Sequence, residues 1–274
     1  MLMDYLFRFP GFLTRACTLS YDDGVRDDVR LIEIMRKYGL KGTFNINSKN
    51  LEGTERCLSA DEIKALDGDD IEIAIHGFNH LSLPRVTMPL AMRDVVEDRS
   101  NLEKTFDRIV RGMAYAYGTY NEEIIEMLRG AGVAYSRTTE STESFDLPTE
   151  WLALHPTCHH NNPRLFELID EFFKEPVKKS PLNIRPRLFY LWGHSYEFPR
   201  DNNWDVIEKF GQIMAERNDV WHATNMEIYK YVKAFESLIF SSDLSRVENP
   251  SATDLYICYN GNNVLVKAGE TVRL

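Results

Sequence analysis

His76 and His80 close the segment His-Gly-Phe-Asn-His, four positions apart. In an extended strand residues at this spacing lie ~13 Å apart and cannot share a metal ion. In a helical turn their Cβ atoms are neighbours, roughly 5–6 Å apart, and both imidazoles reach one point. Two such histidines and one carboxylate make a three-donor site with a position left open for water, the arrangement of a catalytic rather than a structural zinc. Two surface or capping histidines would read the same way, so the pattern needs a carboxylate. Asp22 and Asp23, ahead of Gly24, offer a pair. Asp-Asp-Gly by itself marks a turn. Adjacent carboxylates at the mouth of a fold repel each other unless a cation or a hydrogen-bond network offsets the repulsion. A metal would do so, with one carboxylate as ligand and the other free to take a proton. His194, just past an apolar run, is one more group able to move a proton near neutral pH.

These groups must be positioned by strands that alternate with helices. Arg15 to Tyr21 reads as a first strand, and the helix from about Asp27 to Tyr38 puts Leu31, Ile34, Met35 and Tyr38 on one face and is closed by Gly39. Further strands are predicted at Gly42 to Asn47, Ile71 to Ile75, Met113 to Tyr117, Val133 to Ser136, Trp151 to Leu154, Leu188 to Trp192 and Val220 to Ala223. Between them fall helices opened by the capping-box spacing of Ser59 to Glu62, by Pro89 in a first turn, and near Glu122, Arg164, Trp204 and Met226. Seven or eight βα units imply parallel strands with right-handed crossovers, and a closed barrel suits that number better than an open sheet. In such a barrel functional residues gather at the C-terminal strand ends, where Asp22-Asp23, His76 to His80 and His194 all fall. The tail differs: Asn260-Gly261 between two β-rich runs predicts a hairpin. The expected division is a barrel over 1–239 and a small C-terminal β appendage over 240–274.

The motifs Thr18 to Gly24 (TLSYDDG), His76 to His80 (HGFNH), Ala114 to Gly118 (AYAYG) and Leu191 to His194 (LWGH), in this order, resemble those of the polysaccharide deacetylases, the NodB-homology or carbohydrate esterase four group. The resemblance runs from about Thr14 to the helix ending near Leu238 and implies an α/β fold, a distorted (β/α)7 barrel. It makes Asp23, His76 and His80 the ligands of one divalent metal, Zn²⁺ before others, and Asp22 the general base. His194 becomes the general acid, and Tyr117 contributes a backbone N–H to the oxyanion. The implied activity is removal of acetyl groups from an N- or O-acetylated sugar or glycan. Gly77 stands where the family usually has Ser or Thr, Ala114 where many members carry an arginine that tethers the base, and Ala116 where proline is common. Because of Ala114, a non-catalytic carbohydrate-binding barrel is the alternative, and a related hydrolase of non-peptide C–N bonds is a third reading.

The balance of 32 basic against 42 acidic residues, a formal charge of −10, disfavours nucleic-acid and anionic-membrane partners. No apolar run approaches the ~20 residues of a membrane span, and no intact signal peptide is seen, so cytoplasmic is the default location. A secreted parent with its leader trimmed would read alike. Cys17, Cys57, Cys158 and Cys258 form no CxxC pair and are expected as buried thiols. His155 is expected near the mouth. Cys158-His159-His160 is expected as loop polarity, since adjacent side chains of extended chain point to opposite faces. His222 reads as a packed histidine. One or two of Tyr120, Trp192, Tyr196 and Trp204 are expected at the site, and Glu197 could orient His194.

Overall fold

A computed structural model describes residues 6–175 and 184–274. Its strands are β1 (Phe7–Arg8), β2 (Arg15–Asp22), β3 (Gly42–Ile46), β4 (Ile71–Ile75), β5 (Gly112–Ala114), β6 (Tyr135–Arg137), β7 (Cys158–His159), β8 (Arg187–Gly193), β9 (Val220–His222), β10 (Ile239–Phe240), β11 (Arg246–Glu248), β12 (Leu255–Tyr259), β13 (Asn262–Val266) and β14 (Thr271–Arg273). The main sheet is eight-stranded, ordered β6-β5-β4-β3-β2-β8-β7, with β9 joined to β2. Its pairings are parallel, which is why β2 is buried at every residue rather than alternately. One edge of β2 is shared, β9 taking Arg15 to Cys17 and β3 taking Leu19 to Asp22.

The sheet curls until its ends meet. Leu154 bridges Arg137 of β6, with its N–H on Ser136 at 2.9 Å, and four residues later Cys158 pairs with Leu191 of β8. One short segment thus joins both ends, and the architecture is the expected distorted (β/α)7 barrel. Trp151–Ala153 is a 3-10 turn rather than the predicted strand, because Glu150 caps it by accepting the Leu152 N–H. Met113 to Tyr117 also ends sooner than predicted. The chain leaves β5 at Ala114 and turns through Ala116–Gly118, where Tyr117 takes φ 60°.

Outside the barrel, β12 and β13 form the hairpin predicted at Asn260-Gly261, both residues having positive φ (49° and 84°) as a tight hairpin turn requires. Phe7 of β1 pairs with Ile257, so the N-terminal strand completes the β12-β13 sheet, while β10, β11 and β14 make a second small sheet. Phe7, Phe9, Ile257 and Val266 pack with Tyr231 and Phe235 of the helix Asn225–Glu236 in an apolar cluster that also takes in Ala16 of β2 and Leu188 and Tyr190 of β8. Among the described residues all four cysteines are buried thiols, and no helix is long and apolar enough to cross a membrane.

Candidate active site

The C-terminal ends of β2, β4, β5, β6 and β8 open into a cavity of about 620 Å³ lined by Asp22, Asp23, His76, His80, Tyr117, Trp192 and His194 among others. Every side chain selected from the sequence for catalysis or metal binding is therefore at one mouth.

Asp23 Oδ1 lies 3.7 Å from His76 Nε2 and 3.7 Å from His80 Nε2. The histidines meet because the chain turns back directly after β4: Gly77 takes φ 83°, and the His80 N–H closes on Gly77 O at 3.3 Å. Asp23 (φ 80°) and His80 (φ 53°) are themselves left-handed, an uncommon state for residues with a Cβ and one found where a site imposes it. His76 Nδ1 is 3.0 Å from the carbonyl of Ala114. A carbonyl only accepts, so Nδ1 carries the hydrogen and the Nε2 lone pair faces Asp23 and His80. That buried nitrogen has no hydrogen-bond partner among the described residues. A His₂Asp donor set with one imidazole fixed in the ligating tautomer fits a divalent metal. Burial and His76 hold His80 below the ordinary imidazole value, which favours the neutral form that ligates.

The loop carrying the histidines is fastened from below by the helix Met88–Phe106. Asp98 accepts the backbone N–H groups of Ser48 (2.6 Å), His76 (3.0 Å) and Gly77 (2.9 Å), and Asp94 accepts that of Asn79 at 2.8 Å. Burial raises Asp98 to about 6 despite those donors. The glycine at 77 has its explanation here: a Cβ would lie 2.6 Å from Asp94 Oδ2. The loop is held by carboxylates reaching in from the helix.

Asp22 is 2 % exposed. Its Oδ1 accepts from Asn45 at 2.9 Å, and Oδ2 accepts from the guanidinium of Arg137, which is itself fully buried. Burial alone would raise the Asp22 pKa, but the charge of Arg137, helped by His76 and His194, outweighs it and holds the carboxyl near 2. Arg137 was missed in the sequence, where the strand was read as ending at Ser136. An arginine one residue past an apolar strand was the available signal. In the β5–β6 ladder it stands opposite Ala114, and its guanidinium lies 4.5 Å from the Trp192 ring centroid.

His194 follows β8, with Nε2 3.9 Å from Asp22 Oδ2 and Nδ1 3.7 Å from Glu197 Oε2. Ser195 fixes this turn by donating to Asp28 at 2.5 Å. Burial opposes charge on His194, yet Glu197 and Asp22 overcome it and raise its pKa above the ordinary value. Tyr117 sits across the mouth, its side chain exposed and its ring 4.6 Å from that of His80.

Other expectations divide. Trp192 and Tyr196 line the cavity, whereas Tyr120 stacks on Tyr115 and Trp204 on Phe198. His155 is outside the lining and pairs with Thr138 Oγ1 at 2.7 Å. His159 and His160 do not point apart. The chain leaves the strand after His159, their rings are 4.4 Å apart, and both approach Glu197.

The fold defines the class, a distorted (β/α)7 barrel with its polar cluster at the strand C-terminal ends. Residues 13–136 match the polysaccharide deacetylase family profile. The Bacillus subtilis (strain 168) protein YxkH, provisionally named a polysaccharide deacetylase, is 25% identical over 127 residues, 46% of this chain and 45% of its own length. Among solved structures, a Mycobacterium smegmatis protein with a similarly provisional name aligns over 84% of this chain and 94% of its own, at TM-score 0.61 and 15% identity. The chitin deacetylase of the fungal pathogen Colletotrichum lindemuthianum aligns over 78% and 88%, at TM-score 0.52 and 15% identity. The structural matches establish the fold, and the match of residues 13–136 to the polysaccharide deacetylase profile agrees with the resemblance carried by the motifs in that span.

Proposed function

We propose that the protein is a metal-dependent hydrolase that removes acetyl groups from an N- or O-acetylated carbohydrate. The observation that carries the proposal is the meeting of Asp23, His76 and His80 donor atoms beside an Asp22 clamped by Arg137, with His194 facing that same carboxylate.

Asp23, His76 and His80 would hold one divalent ion, with Zn²⁺ first among those a His₂Asp set accepts. When bound, it would supply Lewis acidity to an acetyl carbonyl and to a water molecule. The protein's own groups do the rest. Asp22, ionised at neutral pH, has one oxygen on Arg137 and the other on Asn45, so its orientation is fixed as it takes a proton from the attacking water. The water oxygen forms the new bond to the carbonyl carbon. The Tyr117 backbone N–H is assigned to the oxygen that gains charge. The C–N or C–O bond to the sugar then breaks, and His194, charged more readily than an ordinary imidazole, gives its proton to the leaving amine or hydroxyl. Trp192 and Tyr196 offer aromatic faces to the sugar ring.

The test is acetate release from a panel of N- and O-acetylated sugars, with metal analysis of the same preparation. Asp22→Asn is expected to abolish turnover with the metal retained, and His80→Ala to lose both. No acetate from any substrate after metal supplementation would refute the proposal, and glycan binding without turnover would establish the non-catalytic alternative.

A further inference from the structure

We propose that His159 is a positioning residue for the proton donor, holding the Glu197 carboxylate against His194. The inference rests on the reading of His194 as general acid and extends it to a residue outside the motifs.

The Asn161 backbone N–H donates to His159 Nδ1 at 3.1 Å. A nitrogen that accepts carries no hydrogen, so in the neutral ring the hydrogen is on Nε2. That atom lies 3.0 Å from Glu197 Oε2. The same oxygen accepts the His194 backbone N–H at 3.3 Å and stands 3.7 Å from His194 Nδ1, which has no hydrogen-bond partner among the described residues. Glu197 therefore touches the back of the imidazole whose front nitrogen faces Asp22. Its other oxygen is 3.6 Å from Arg200, an exposed guanidinium already bonded to Asp201 at 2.7 Å. Without His159 the carboxylate would be free to swing towards Arg200. His160 is a poor substitute. Its Nε2 is 3.3 Å from the same oxygen, but its ring is stacked on Phe198 and neither nitrogen has a hydrogen-bond partner among the described residues.

The tautomer also argues against a second metal. His159, His194 and Glu197 bring donor atoms within 4.8 Å of one another. A ligating His159 Nε2 would need its hydrogen on Nδ1, where the Asn161 N–H already points.

The experiment combines ¹⁵N NMR of histidine-labelled, metal-loaded protein with kinetics of two variants. His159 is expected to show a protonated Nε2 and an unprotonated Nδ1. His159→Ala should lower kcat about tenfold with KM little changed, since the effect falls on proton delivery rather than sugar binding. His159→Gln, whose amide can donate to Glu197, should recover most of that loss. In His159→Ala the His194 Nδ1 resonance should move, a readout that needs no substrate and stands even if no acetylated sugar is turned over. The opposite tautomer, an unchanged His194 resonance, full kcat in His159→Ala, no recovery with Gln, or a second bound ion lost in His159→Ala would each overturn the proposal.

Discussion

The guanidinium of Arg137 donates to Oδ2 of Asp22 inside the barrel, joining residues 115 positions apart in the chain. The clamp comes from β6, where Arg137 is the ladder partner of Ala114. Arg137→Ala should lower stability by about 3–5 kcal/mol, because it leaves a buried carboxylate without its countercharge. It should also raise the Asp22 pKa and reduce kcat by about 10²-fold. Lys at this position keeps the charge but not the planar fork and should recover only part. The sharper experiment is the exchange Ala114→Arg with Arg137→Ala. If the two positions are alternative origins for one clamp, acetate release should exceed that of the Arg137→Ala single variant.

Asp98 should matter to metal affinity without touching the metal. An Asn there keeps one accepting oxygen and turns an NH₂ group towards backbone N–H donors that need acceptors. Asp98→Asn is expected to weaken zinc binding about 10–100-fold while Asp23, His76 and His80 remain in place. Competition with a chromogenic chelator reads this directly, and unchanged affinity would show that the loop holds its shape without the carboxylate.

Placing a serine at position 77 should be harmful. The residue sits at φ 83° and its Cβ would meet Asp94 Oδ2 at 2.6 Å. The backbone conformation alone costs about 1–2 kcal/mol. Urea denaturation should show Gly77→Ser destabilised by at least that amount, and in an Asp94→Ala background, which already lacks the bond to Asn79, the same change should cost only the backbone part.

His160 predicts a contribution to acid sensitivity. Burial, with a lesser effect of His159, lowers its pKa to about 3 in the folded protein. In the unfolded chain the ordinary value is about 6.5, so between these values the unfolded state binds a proton that the folded state refuses. This residue's contribution therefore lowers stability as pH falls from about 6.5 towards 3, by at most ~1.4 kcal/mol per pH unit. Comparing His160→Phe with the parent subtracts the other titrating groups. The variant should lose less stability than the parent between pH 7 and pH 5, and parallel losses would exclude the histidine as a source.

The local chemistry was written in the chain. Strand and helix periods, the capping box at Ser59, the Asn260-Gly261 turn, and the spacing that brings His76 and His80 onto one turn all depend on residues within a few positions of each other. Such features follow from covalent reach and backbone sterics, which sequence separation encodes. The supporting groups did not show themselves in this way. Asn45, Asp94 and Asp98 are ordinary polar residues until the barrel closes and each finds its partner. Phe7 gave no sign that it would pair with Ile257.

Arg137 marks the boundary between the two kinds of information most clearly. The sequence determined that an aspartate pair and two histidines would stand at strand ends, because strand direction and turn chemistry are local. Which cation would neutralise the buried aspartate was decided only by the curling of the sheet, which carries β6 to within reach of β2. A buried charge is stabilised by whatever countercharge lies nearest in space, and nearness in space across a closed barrel is not a property of position along the chain.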